Sequence, residues 1–169
     1  MRSGRMPGLV LATVTAVDDP LKQGRIKVTF PWLDESLESD WVPVAAPFAG
    51  NDRGLYMMPE VGDEMVLGFL QGDFNHPVVL GALWNGQARA PSDDPRQRMI
   101  RSVNGHTIRF VDSTPSAGDK GALIIEDGHG NKVVMANTHL LVQAVGTLVI
   151  QGASIVINGR PVTPGANPI

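Results

Sequence analysis

The chain has 169 residues, no cysteine, few charges and no long apolar run. Without cysteine, disulfide bridges and thiolate metal ligands are excluded. No apolar segment reaches the ~18 residues that a membrane-spanning helix needs, and the polar N-terminus has no signal-peptide core. We therefore expect a protein that is made in the cytosol without a secretion signal of its own.

The chain has few charged residues, 18% of the total, and acidic residues slightly outnumber basic ones, for a net charge of −3. A general nucleic-acid-binding protein would carry a basic patch. The most basic stretch contains Arg96, Arg98 and Arg101, and a solvated junction explains it better than a binding groove does. The sequence therefore predicts no specific nucleic-acid partner.

What the chain does have is turn-forming residues, with 19 glycines and 13 prolines scattered along it. No convincing helical period interrupts them, so the fold class expected is all-β. Residues 1–8 form an N-terminal segment, and residues 9–88 carry five short apolar stretches that fit a closed five-stranded OB-fold barrel. The predicted strands are residues 9–17, 25–30, 41–45, 64–70 and 77–84.

The second half repeats every eight residues, as HLLVQAVG, TLVIQGAS and IVINGRPV over residues 139–162. Consecutive apolar residues such as Leu148, Val149 and Ile150 point to opposite faces of a strand, so both faces need cover. After a linker at residues 89–99, we predict that residues 100–158 form a triple-stranded intertwined β-helix in a homotrimer. The repeat predicts two trimer-core columns, Val133, Leu141, Val149 and Ile157 in one, and Val134, Val142 and Ile150 in the other. Which column faces the axis is left open by the repeat.

Catalytic chemistry is not indicated. Glu60, Asp63 and Glu64 lie in a predicted turn and Asp93–Asp94 in the linker, where carboxylates are solvated. Of the histidines His76, His106, His129 and His139, none forms a metal-binding pair motif, and no nucleophile signature is present. We predict neither enzyme activity nor a cofactor. His139 opens an octad, so three copies could meet on a trimer axis as an axial metal site, although an outward position is favoured.

Several short motifs occur in a shared order in the first half: FPWL (Phe30–Leu33), WVPVA, PEVGDE (Pro59–Glu64), LGF, GD and PVVLGAL (Pro77–Leu83). In this order they resemble the OB-fold of phage baseplate assembly protein V, of central spike proteins in contractile tails, and of VgrG. The second half is similar to the region where such proteins pass into a β-helix. The resemblance covers residues 8 to about 160.

The resemblance implies a structural central spike of a contractile injection machine that punctures the target envelope after assembly into a baseplate. VgrG proteins carry a hub region before the OB-fold, which begins here at residue 9, so a separate trimeric hub protein is implied. The short linker leaves no room for an inserted lysozyme. Residues 159–169 form a tail that implies a PAAR-type tip partner, with Val156, Asn158, Pro161 and Pro164 at its interface.

A second hypothesis is an OB-fold ligand-binding module for nucleic acid or glycan, trimerised by the β-repeat.

Overall fold

The computed structural model describes residues 5–114 and 118–162, apart from the Glu35 side chain, and it is built from short strands. The chain divides into two compact units, Met1–Ala90 and Pro91–Ile169. The predicted tip residue Pro164 lies outside the described residues.

The first unit is a curved sheet with the strand order β3-β2-β1-β7-β8, and β4 pairs with the end of β2. Directly after β4, Val44 bridges to Val79 of β8, so a segment attached to β2 also contacts the far edge of the sheet. This connection wraps the sheet around one core. The strands are β1 (Leu9–Ala16), β2 (Arg25–Phe30), β3 (Asp34–Glu38), β4 (Val42–Pro43), β5 (Ala49–Gly50), β6 (Arg53–Gly54), β7 (Glu64–Phe69) and β8 (Pro77–Ala82), with a 3-10 turn at Leu70–Gly72.

The core of the first unit follows the period-2 alternation of its strands. In β2, Ile26, Val28 and Phe30 are buried while the residues between them are half-buried, as the sequence predicts. Phe30 lies at the aromatic centre, with its ring centroid 5.4 Å from that of Phe74 and 6.5 Å from that of Phe69. The buried core residues are Ala12, Val14, Ile26, Val28, Phe30, Val42, Met65, Leu67, Phe69 and Val79.

The turn between β1 and β2 is held by one buried carboxylate. Asp19 accepts hydrogen bonds from the backbone N–H groups of Leu21 and Gln23, and from the Arg25 guanidinium at 2.7 Å. The Arg25 guanidinium holds the pKa of Asp19 well below its usual range. These contacts position the hairpin that carries half of the core.

Strand β3 was not predicted from the sequence, and the predicted strand at residues 41–45 is reduced to Val42–Pro43. The sequence DESLE lacks the apolar alternation typical of strands, and its pairing is supported by polar contacts. Glu38 accepts a hydrogen bond from Thr15 at 2.9 Å and forms an ion pair with Lys27 at 2.7 Å. An edge strand held by side-chain charges leaves no hydrophobic signal in the sequence.

The second unit is an antiparallel meander in which five strands pair in chain order, and a small hairpin follows it. Residues 144–155 lie outside strands, and β9 begins inside the predicted linker at residues 89–99. Within one chain, residues 97–143 therefore form a meander of paired strands, and the intertwined β-helix stays a prediction for an assembly. The strands are β9 (Gln97–Arg101), β10 (Thr107–Val111), β11 (Ala122–Glu126), β12 (Lys132–Ala136), β13 (His139–Gln143), β14 (Val156–Ile157) and β15 (Arg160–Pro161).

Gly121 controls the entry into β11, and Gly121→Ala is expected to destabilise the β10–β11 pair. A Cβ at this position would overlap the carbonyl oxygen of Val111, and the backbone φ is +82°. Gly118 is the matched control, because its φ is +66° and a Cβ there would meet no atom of the described residues within 4 Å. Both variants share the left-handed strain, while the backbone clash adds about 1–3 kcal/mol in Gly121→Ala alone.

Amide hydrogen exchange of Thr107–Val111 measures this difference directly. Faster exchange is expected in Gly121→Ala than in Gly118→Ala. Equal exchange in the two variants would contradict the clash.

Candidate functional site

The five-stranded sheet of the second unit has two faces of different chemistry, which the strand register defines. Residues paired across an antiparallel ladder point to the same face. Ile108 pairs with Ile100 and Ile125, Ile125 pairs with Val133, and Val133 pairs with Val142. A second row on this face contains Phe110. We call this surface the apolar face, and its residues are Arg98, Ile100, Ile108, Phe110, Leu123, Ile125, Val133, Met135, Leu140 and Val142.

The opposite surface, the mixed face, alternates charged and apolar side chains. It carries Arg101, Arg109, Glu126 and Lys132, and Arg109 forms an ion pair with Glu126 at 3.5 Å. Its remaining residues are Gln97, Met99, Thr107, Val111, Ala122, Ile124, Val134, Ala136, His139, Leu141 and Gln143.

The apolar face is uncovered in the single chain. Within residues 91–114 and 118–162, Thr107 is the one fully buried residue, so the second unit has no buried apolar core of its own. On the apolar face, Leu140 is 65% exposed and Val142 50% exposed. Exposed contiguous apolar surface of this kind marks a site of association with another molecule.

Two sets of hydrogen bonds hold the chain before β12 and after β13. In the β11–β12 turn, Asp127 accepts hydrogen bonds from the backbone N–H of His129 and from the side chain of Asn131. The hydrogen bond from Asn131 is the main cause that lowers the pKa of Asp127 to about 2. The same Asn131 accepts a hydrogen bond from the N–H of Val145 at 2.8 Å, which anchors the start of the following segment.

Beyond that anchor, most apolar residues of the octads are exposed, and Ile155 is half-buried. Leu148, Val149 and Ile150 are 51%, 74% and 61% exposed, and they belong to no strand. Ile157 lies in β14 and is also exposed. The strand-forming sequence TLVIQ therefore has no strand pairing with residues 5–114 or 118–162.

The structure distributes the predicted trimer-core residues differently from the octad columns. Val133 faces Val142 on the apolar face, and Val134 faces Leu141 on the mixed face. The turn between β12 and β13 contains two residues, so residues that pair across this hairpin are an odd number of positions apart, and residues eight apart point to opposite faces. The core assignment stays a prediction for the assembled state. In this sheet, however, the side chains that share one surface are those of the apolar face, and not those of one octad column.

At the C-terminal end of the described chain, the predicted tip residues lie in the small hairpin. Val156 pairs with Pro161, and Asn158 occupies the turn with a φ of +49°. All three of these residues are exposed.

Several titratable side chains make local contacts in turns. Asp63 accepts a hydrogen bond from the N–H of Glu60 at 2.9 Å, as expected for a turn residue. His76 contacts Asp73 at 3.0 Å, and the N–H of Gly128 donates to Nδ1 of His106. His139 is exposed on the mixed face. Across the residues that the structure describes, no group of three or more metal-ligating side chains comes together.

Two of the three arginines near the unit boundary form ion pairs. Arg96 forms an ion pair with Asp94 at 3.3 Å, and Arg98 forms one with Asp112. Among the described residues, no helix has both the length and the apolar character needed to cross a membrane.

Comparison with known proteins assigns the first unit. Residues 10–84 match the family model described as the type VI secretion system/phage-baseplate injector OB domain. The type VI secretion system spike protein VgrG5 of Pseudomonas aeruginosa is 35% identical over 119 residues, which are 68% of this chain and 14% of that protein. The spike protein VgrG4b of the same organism is 31% identical over 120 residues, which are 69% of this chain and 14% of that protein.

The spike protein VgrG2a of Pseudomonas aeruginosa is 32% identical over 84 residues, which are 47% of this chain and 10% of that protein. The matches to VgrG5 and VgrG4b are too long to lie within the OB domain alone, so the similarity extends into the second unit. The chain covers about one seventh of the length of these two relatives.

Proposed function

We propose that this chain is a structural central spike of a contractile injection machine, because residues 10–84 match the model of the type VI secretion system/phage-baseplate injector OB domain. Its similarity to VgrG spike proteins supports the spike role. The machine is a phage tail, a tailocin or a type VI-like system.

The observation that carries this proposal is the uncovered apolar surface of the second unit. Five paired strands and the octads after them expose large apolar side chains and, within the described residues, bury no apolar side chain. At about 25 cal/mol per Å² of apolar surface removed from water, association of several copies is strongly favoured. We assign three copies, as the family resemblance implies, wound into a needle over residues 100–158.

The function of such a needle is mechanical. Three OB units form a collar that docks on a trimeric hub, and contraction drives the needle through the target envelope. Backbone pairing between strands makes bending costly, because bending breaks many hydrogen bonds together. The exposed hairpin containing Val156, Asn158 and Pro161 supports a platform for a PAAR-type tip protein at the C-terminal end. No step in this role requires a catalytic group or cofactor.

The solution mass tests this proposal first. Light scattering is expected to give about three times the chain mass of 18.1 kDa, and the trimer is expected to persist in cold SDS until it is heated. The same chain ended after residue 90 retains the OB unit, and it serves as a control that is expected to be monomeric. A monomeric full chain would contradict the homotrimeric spike.

A further inference from the structure

We propose that the apolar face of the β9–β13 sheet is the surface turned toward the three-fold axis, where it packs against the same face of the two other copies, and that the mixed face is turned to solvent. This inference rests on the proposed homotrimeric spike. It names the contact surface within that assembly, which the octad repeat alone leaves open.

The side chains of the apolar face restrict the kind of surface that can pack against it. Of its ten positions, nine carry aliphatic, aromatic or thioether side chains. The tenth, Arg98, is already bound to Asp112 of the same chain. A polar or charged partner would lose its hydrogen bonds to water without replacement on this surface. An uncharged, strand-shaped surface fits it, and a second copy of the same face supplies one.

The mixed face does not fit the axis. It carries the cations Arg101, Arg109 and Lys132 against one carboxylate, Glu126. Around a three-fold axis each of these charges would approach two like charges in an environment from which water is excluded. Desolvation of each ion would cost several kcal/mol, and the excess of cations would leave charge unpaired.

The available area also agrees with an interface between copies. Strands lie about 4.8 Å apart and rise about 3.4 Å per residue, so five strands of five residues cover about 400 Å² in projection. A standard interface needs about 800 Å² per partner. The sheet supplies about half of this area, and the exposed Leu148, Val149 and Ile150 directly after it are available to supply the rest.

Two consequences follow for individual residues. Val133 and Val142 pack at the axis, while Val134 and Leu141 face outward. His139 shares the mixed face with Leu141, so its three copies point away from one another. An axial imidazole site at His139 is therefore excluded in this arrangement.

Two neighbouring residues on β13 test the orientation. Val142 and Leu141 are both apolar, are 50% and 39% exposed in the single chain, and point to opposite faces. In light scattering, Val142→Asp is expected to lower the mass from about three chains to one, whereas Leu141→Asp remains trimeric. Loss of the trimer in both variants, in neither, or in Leu141→Asp alone would overturn the orientation.

Thiol labelling gives a second readout that does not depend on the variants tolerating a charge. The natural chain has no cysteine, so Val142→Cys and Leu141→Cys each introduce one thiol. In the native trimer, a maleimide is expected to react with Leu141→Cys at least tenfold faster than with Val142→Cys, and at equal rates after denaturation. Equal native rates, or the reverse order, in a trimeric protein would overturn the orientation. A monomeric wild-type chain would instead contradict the proposed spike itself.

Discussion

Ile150→Asp is expected to convert the proposed trimer into monomers. Ile150 is 61% exposed in the single chain, so the charge does not disturb the fold of one protomer. In a wound needle, the three copies of the introduced carboxylate would lie near one level of the core. The desolvation cost is several kcal/mol for each of the three carboxylates, and the total exceeds what a small interface can offset. Val149→Asp is expected to behave in the same way, because both faces of this segment need cover.

Gln151→Asp is the matched control for this substitution. Gln151 is adjacent, exposed and polar, so its replacement adds the same charge without removing an apolar contact. Sedimentation velocity at micromolar concentration separates trimer from monomer for all three variants. Stable trimers formed by both Ile150→Asp and Val149→Asp would contradict the assignment of these octad residues to a buried core.

The first unit was largely predictable because its strands carry local signals. Alternation in RIKVTF and the turn residues around it predicted β2 over the residues that the structure gives. The strands predicted at residues 9–17 and 64–70 differ from β1 and β7 by a single residue at one end. By contrast, β3 is held by Glu38 through polar contacts with distant residues. Contacts with Thr15 and Lys27, 23 and 11 residues away, leave no pattern in a local window.

In the second unit, the sequence predicted β-structure over residues 100–158 but not the faces of the sheet. It also placed the start of β9 in a linker and predicted strand structure at residues 147–151, which lie outside strands. The apolar face depends on register, and a shift of one residue exchanges the two faces of a strand. The alternation in TIRFV offered a signal, since Ile108 and Phe110 alternate with Thr107 and Arg109. The octad columns do not show this alternation, because they compare residues along the chain and not residues that pair across the sheet.

The sequence identified the residues of the proposed interface only as a group. The repeat showed that apolar residues such as Val133 and Val134 need cover on both faces. The repeat did not show which of the two points to which face. Residues eight apart point to the same face only while the strand continues in one direction, because eight is an even number. The reversal between Ala136 and His139 breaks that condition. In the proposed trimer, the topology of the sheet, rather than the composition of the repeat, decides which side chain of each pair would meet another copy.

Phe30→Ala is expected to destabilise the first unit by about 3–5 kcal/mol. Phe30 is 1% exposed, and its ring contacts those of Trp32, Phe69 and Phe74, with centroids 6.2, 6.5 and 5.4 Å away. Its removal leaves a cavity inside the close-packed core, and such a core has little freedom to collapse into it. A domain of this size has a total stability of about 5–15 kcal/mol. The loss is therefore a large fraction of what holds the unit folded.

Phe48→Ala removes the same side chain from an exposed position, where Phe48 is 54% accessible, and is expected to cost well under about 1 kcal/mol. All three tryptophans of the chain, Trp32, Trp41 and Trp84, lie in the first unit, so urea unfolding followed by tryptophan fluorescence reports on that unit alone. The midpoint is expected to fall strongly for Phe30→Ala and little for Phe48→Ala, with the same trimeric mass in both below the transition. Because the proposed trimer contacts lie in the second unit, a Phe30→Ala chain that keeps its trimer while losing stability in the first unit would show that collar and needle fold on separate cores. Similar midpoints for the two variants would contradict the central role of Phe30.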